Sequence, residues 1–280
     1  MAIPDFLVVG HVVKDEAPRG WRLGGTASYA AMQASRLGLN AAVVTSAVES
    51  DLADRPLPVE VRSLPSQATT VFRNEYSDGR RTQHLLSRAR DLSTDDVPVE
   101  WRRTGIVLLG PVCGEVPGEL AHIFEGSLLG VSAQGWLRRV GPQGQVLPQP
   151  WRDVALWRVS RALFVSEEDL GGDESPLQEW VEHVPILCLT RADRGARVYF
   201  DDAWHSIPAF AEHEVDPTGA GDVFATAFLI RFHETNDVAE ATRFAGAAAS
   251  LSTAAEGIHA IPTRTQVEER LARSPEIVLQ

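Results

Sequence analysis

Asp216-Pro217-Thr218-Gly219-Ala220-Gly221-Asp222 opens an apolar run over residues 223–232, and the sequence is best read outward from it. Pro217 fixes its own φ and disfavours helix at Asp216, so the chain enters extended. Gly219 and Gly221 remove side chains where a ligand has to approach the backbone. Phe224, Ala227, Phe228 and Ile230 then follow as a helix packed into a core. A glycine-rich turn opening a helix presents unpaired N–H groups and the positive end of the helix dipole. That is an anion site. Asp222 beside it is expected to be ionised at neutral pH, because donors and dipole favour the charged form. It can accept a proton from an attacking hydroxyl while the amides stabilise phosphoryl oxygens. The bland alternative is a helix-capping aspartate after an ordinary glycine turn.

Upstream, short apolar runs alternate with amphipathic segments. Strands are expected at residues 6–9, 41–45, 106–109, 128–131, 162–165 and 186–189, with a small-residue helix over 26–37 stopped by Gly38. This rhythm predicts an α/β fold, a doubly wound and mostly parallel sheet with helices on both faces. Residues 59–88 alternate apolar and polar positions and contain a turn at Ser77-Asp78-Gly79, which reads as an antiparallel patch. The expectation is one domain over 1–280 with a small β-sheet lid at about 11–20 and 58–90. Asp237 with Glu240, and Thr263 with Gln266, are capping-box patterns before helices over 241–255 and from 267, the first ended by Gly257. Residues 141–150 read as a loop.

The net charge of -12 excludes non-specific binding to nucleic acid. No apolar run approaches the length of a membrane span, and no basic leader precedes the first strand, so a cytoplasmic location is expected. Cys113 and Cys188 lie in or beside apolar runs and read as free thiols. The eight histidines show no metal-ligand spacing.

The segment DPTGAGDVFATAF resembles the C-terminal signature of the ribokinase-like (PfkB) carbohydrate kinases. The resemblance implies Asp222 as catalytic base and Gly219, Ala220 and Gly221 as the anion hole. It extends to Gly24-Gly25 before the small-residue helix, which looks like the family's N-terminal substrate motif. Gly10 followed by Asp15 looks like the family's substrate-binding aspartate after a strand. Gln134 and Arg138, in a stretch similar to one in sugar- and inositol-type members, are further implied substrate contacts.

Other matches are altered. Ser166-Glu167-Glu168-Asp169 stands where the family has Asn-x-x-Glu, which implies Glu168 and Asp169 near a hydrated Mg²⁺. An exposed acidic helix start reads the same residues equally well. The loop from Thr190 to Gly195 resembles a Thr-x-Gly-x-x-Gly nucleotide loop with Ala192 in place of the first glycine, harmless where φ is negative. Thr190, Arg191, Gly195, Thr218 and Gly257 are the implied nucleotide contacts. Arg194 is either a phosphate contact or a surface charge, and Gly246 stands where members have Asn at the adenine side.

The implied activity is ATP-dependent phosphorylation of a sugar or inositol hydroxyl, with Mg²⁺ and, as an open option, a monovalent cation. A nucleoside kinase and a catalytically weak metabolite sensor are the competing readings. Polar lid residues Arg73, Asn74, Arg81 and Gln83 face substrate or water. Exposed apolar positions in the lid would suit a homodimer, whereas Arg80, Arg81 and Arg88 would equally suit a blunted free edge.

Overall fold

The computed structural model describes residues 2–17, 20–77 and 80–280. The predicted turn at Asp78-Gly79 lies outside the described residues, as do the side chains of Arg80 and Arg81. Strands β1 (Phe6–Val9), β2 (Val13–Ala17), β3 (Gly20–Gly24), β4 (Ala41–Ala47), β5 (Glu60–Pro65), β6 (Thr70–Ser77) and β7 (Arg80–Ser87) fill the first part of the chain. Strands β8 (Ile106–Leu109), β9 (Leu128–Ser132), β10 (Arg138–Val140), β11 (Val146–Pro148), β12 (Ala162–Ser166), β13 (Ile186–Thr190), β14 (Ala196–Phe200) and β15 (Ala203–Ile207) follow. The helices are α1 (Gly25–Arg36), α2 (Glu49–Asp54), α3 (Val154–Val159), α4 (Leu177–Trp180), α5 (Ala220–Thr235), α6 (Val238–Ser252) and α7 (Arg264–Arg273).

Among the described residues one nine-stranded sheet runs β15-β14-β13-β12-β9-β8-β1-β4-β5. It is parallel from β13 to β5 and antiparallel only at β14 and β15. Its strands are nearly continuous apolar runs because both faces are covered. Phe6 and Val8 point into a core shared with Tyr29 and Ala30 of α1, Phe224 and Phe228 of α5 and Phe244 of α6. Leu7 and Val9 point the other way, into a core with Trp101, Leu120, Trp157 and Trp180. Period-two alternation thus divides the apolar residues between two helical layers. No helix among the described residues is long and apolar enough to cross a membrane.

A second sheet, β3-β2-β6-β7, stands beside the first. The expected antiparallel patch is only partly correct. β5 does not belong to it. Glu60–Pro65 pairs in parallel with β4, as the edge of the large sheet, since one exposed face there makes a βα-type strand alternate. β3 takes its place beside β2. Residues 141–150 are also more ordered than a loop, with β10 and β11 forming a two-stranded ribbon that bridges from Gln145 to His84.

Helix ends follow the chemistry with two exceptions. Gly38 has φ +94° after α1, and Thr263 with Gln266 forms the full capping box of α7. Asp237 caps α6 through the Glu240 amide, but the Glu240 carboxylate turns to Arg231. α6 stops at Ser252, and Gly257, at φ +61°, opens the next turn. Both cysteines are free thiols.

The C-terminal ends of β1 and β8 are joined by a buried carboxylate. Glu115 accepts the amides of His11 at 3.0 Å and of Val112 and Cys113 at 2.9 Å. Burial alone would raise its pKa, but the His11 charge and these amides hold it below the ordinary glutamate value. The His11 ring bridges the Arg90 carbonyl (2.9 Å) and the Thr70 hydroxyl on β6 (2.8 Å). His11, Cys113 and Glu115 bring potential ligand atoms within 4.8 Å, a grouping invisible in sequence spacing. With both ring nitrogens engaged, the grouping reads as a joint between the sheets.

Candidate active site

The site lies where the C-terminal ends of the parallel strands meet the small sheet, the general location for ligands in open α/β sheets. Gly219 is the N-cap of α5 in the left-handed region, φ +81°. A Cβ there would overlap the Tyr29 ring, whereas one on Gly221 would meet nothing within 4 Å. Gly219 is therefore required by packing and φ, and Gly221 leaves open space at the helix start. The amides of this first turn lack intrahelical acceptors. Of the three predicted anion-hole residues, Ala220 turns its N–H back to the Pro217 carbonyl at 3.1 Å.

Asp222 sits in the first turn of α5. Part of the residue stays accessible, but its carboxyl is dehydrated enough that burial pushes its pKa up to about 6. The Thr26 hydroxyl lowers it, the charge of Asp169 raises it and Arg138 lowers it. Desolvation thus outweighs the donors and dipole from which an ionised carboxylate is expected. Asp222 is still mostly ionised at pH 7. Thr26 is buried on α1, and beyond this influence on Asp222 its hydroxyl has no hydrogen-bond partner among the described residues.

Asp15 is buried on β2, and its carboxylate lies over the α-carbon of Gly24 on β3, so closely that any Cβ would overlap it. Gly25, at φ +80°, would place a Cβ 2.6 Å from the His11 carbonyl oxygen. The two glycines thus let β3 and α1 close against β2. Tyr29 lies amid these groups. Burial first, then the charges of Asp15, Asp216 and Asp222, push its hydroxyl far above the usual tyrosine range. Nothing in the sequence marked Tyr29, whose signal is only a large aromatic in a helix of small residues.

A polar chain crosses from the small sheet to the body. Asn74 accepts from Gln83 at 3.0 Å, Gln83 accepts from Arg138 at 3.1 Å, and Arg138 donates to Asp169 at 3.3 Å. Asp169 also accepts the Ser166 hydroxyl at 2.6 Å. The predicted residues Asn74, Gln83 and Arg138 are therefore brought together, while Arg73 pairs with Glu16. Gln134 is half-buried in the turn after β9. Arg88 turns to Asp91 and the Cys113 carbonyl.

Asp169 does not fit as a direct Mg²⁺ ligand, because its oxygens already serve Ser166 and Arg138. Glu168 is exposed on the same turn. Arg194 pairs with Glu167. Thr190 ends β13 and Gly195, at φ +81°, packs against the Ile207 carbonyl. Ala192 adopts φ +49°, so the condition under which its methyl was harmless is not met. Arg191 holds a buried Nε with no hydrogen-bond partner among the described residues. Gly246 faces the Phe210 ring, 3.4 Å from where a Cβ would be. Thr218 and Gly257 meet through Asp216, whose carboxylate accepts their amides at 3.0 and 3.2 Å. Sequence reasoning used Asp216 only as the residue before a proline.

Residues 162–264 match the family profile described as pfkB family carbohydrate kinase. Fructokinase-2 of Oryza sativa subsp. japonica is 28% identical over 134 residues, 44% of this chain and 40% of that protein. Ribokinase of Bacillus subtilis is 41% identical over 131 residues, 45% of each. These alignments therefore span less than half of either curated relative. Among solved structures, a pyrophosphate-dependent kinase in the ribokinase family superposes with a TM-score of 0.79 at 24% identity, covering 95% of this chain and 99% of the other. Ribokinase of Arabidopsis thaliana, complexed with ribose and ATP, gives 0.75 at 22%, covering 96% and 99%. The fold is that of the ribokinase family.

Proposed function

We propose that this chain, whose residues 162–264 match the pfkB carbohydrate kinase profile and whose fold is ribokinase-like, transfers a phosphoryl group from ATP to a hydroxyl of a sugar or inositol. The observation that carries this reading is Asp222, with a pKa of about 6, in the first turn of a helix opened by Gly219-Ala220-Gly221. The acceptor hydroxyl gives its proton to Asp222 as its oxygen forms a bond to the γ-phosphorus. The bond from that phosphorus to the bridging oxygen breaks, and ADP leaves with the electron pair. The Gly219 and Gly221 amides are assigned to the charge on the equatorial oxygens. A proton acceptor near neutrality is matched to this task.

Asp15, over Gly24-Gly25, is assigned to acceptor hydroxyls, with Gln134 and Arg138 bordering the same space. The small sheet is assigned the role of lid, excluding water as a competing acceptor. Thr190, Arg191, Gly195, Thr218 and Gly257 are assigned to the donor side. Bound Mg²⁺ would supply charge neutralisation on the donor phosphates, and Glu168 is the proposed carboxylate for its hydrated form. The test is turnover across sugars, inositols and nucleosides with ATP-Mg²⁺. Phosphorylation of a sugar or inositol is expected, and ligand-induced thermal stabilisation without turnover on any acceptor would overturn the reading.

Inorganic pyrophosphate as donor is a second reading. It is favoured by the packing of Gly246 on Phe210, which leaves that position of α6 without a side chain to read a base. Higher kcat/KM with pyrophosphate than with ATP in the same panel would select it.

A further inference from the structure

The turn that presents the anion hole is held from outside α5. Asp216 accepts the Thr218 amide through Oδ1 at 3.0 Å and the Gly257 amide through Oδ2 at 3.2 Å. The Val215 and Asp216 amides both donate to the Thr253 carbonyl, at 2.8 and 3.1 Å. Residues 215–219 are thereby clamped to the segment between α6 and the turn at Gly257. The clamp concentrates negative charge: Asp216 is 9% exposed, and Glu256 directly precedes Gly257. One guanidinium bridges both carboxylates. Arg22 Nη1 lies 3.0 Å from Glu256 Oε2 and 3.6 Å from Asp216 Oδ2.

Arg22 comes from β3, two residues before Gly24, on the strand whose neighbour β2 carries Asp15. A single side chain therefore connects the acceptor-side strand to the turn under the anion hole. We propose that Arg22 is a positioning residue for the anion hole. Its fixed charge neutralises the Asp216 clamp, the task a bound monovalent cation would otherwise perform. A cation there would have to share Asp216 with two amides and compete with a tethered guanidinium, so the residues present do not fit one. Unlike an ion, Arg22 cannot dissociate, and it places the amides before the donor arrives.

The inference rests on the reading of Gly219–Gly221 as an anion hole, and the experiment separates the two. Wild type, Arg22→Met and Arg22→Lys are compared in KCl and in tetramethylammonium chloride at equal ionic strength. The readouts are kcat, acceptor KM, thermal midpoint and calorimetric affinity for magnesium AMP-PNP and for inorganic pyrophosphate. Wild type is expected to show the same kcat and midpoint in both salts. Arg22→Met is expected to lose about tenfold to 100-fold in kcat, in line with small misplacements of catalytic groups. Its acceptor KM should stay within about twofold and part of the loss should return in KCl. Arg22→Lys is expected to keep most of the activity. A wild type that requires K⁺, or an Arg22→Met variant with unchanged kcat and donor affinity, overturns the proposal. The wild-type salt comparison decides it even where Arg22→Met fails to fold. Wild type that binds neither donor probe and turns over no acceptor fails the functional reading instead.

Discussion

The ring of Tyr29 on α1 occupies the space that a Cβ on Gly219 would need. Helix α1 thereby sets the position of the turn that opens α5. Gly219→Ala must both displace that ring and hold a side chain at φ +81°. It is expected to lower kcat at least about 100-fold, because displaced amides cannot meet the transferring phosphoryl group. Steady-state kinetics on a variant shown folded by circular dichroism checks this.

Asp222→Asn is expected to abolish turnover without lowering stability. A carboxyl whose folded pKa is about 6 against an ordinary 3.8 favours the neutral form in the folded state. Its ionisation destabilises the fold as pH rises through that interval, by about 1–3 kcal/mol once complete. The asparagine escapes this cost. Urea unfolding of both proteins at pH 7 should therefore show the variant at least as stable as wild type.

The pH profile of kcat/KM is expected to fall on the acid side near pH 6, as Asp222 takes up a proton. Thr26→Val and Arg138→Met each remove an influence that lowers this pKa. Both should move the acid limb to higher pH, whereas loss of mere structural support would scale the whole profile down. For Arg138→Met, KM for the acceptor should also rise.

Ala192→Gly is expected to stabilise the protein by about 1 kcal/mol, since φ +49° costs alanine what it does not cost glycine. Chemical denaturation measures it. Lower stability in the glycine variant would show that the loop gains more from the methyl group than strain removes.

Glu115→Ala is expected to cost about 3 kcal/mol or more, because it leaves buried amides of His11, Val112 and Cys113 without an acceptor. With a folded pKa below the ordinary 4.5, this carboxylate contributes stability that is fully present above that value. The contribution is lost as pH falls through the lower folded value. The variant should therefore show a flatter fall in stability with acid than wild type.

The sequence by itself determined six of the nine strands of the large sheet, the helix after Gly24-Gly25 and the Gly219–Asp222 turn. Each is a local pattern: an apolar run, a glycine where φ is positive, a carboxylate at a helix start. β5 misled because a half-exposed edge strand alternates whether its partner is parallel or antiparallel. Tertiary structure alone decided the environment of Asp222. Whether dipole and donors or desolvation sets a carboxyl's pKa depends on its burial and on the groups brought beside it, here Thr26, Asp169 and Arg138 from three distant segments. The same holds for Arg22 and Glu256, 234 residues apart. Pairing across such a span leaves no periodic trace in the chain, because it is created by the sheet order that brings β3 beside the end of α6.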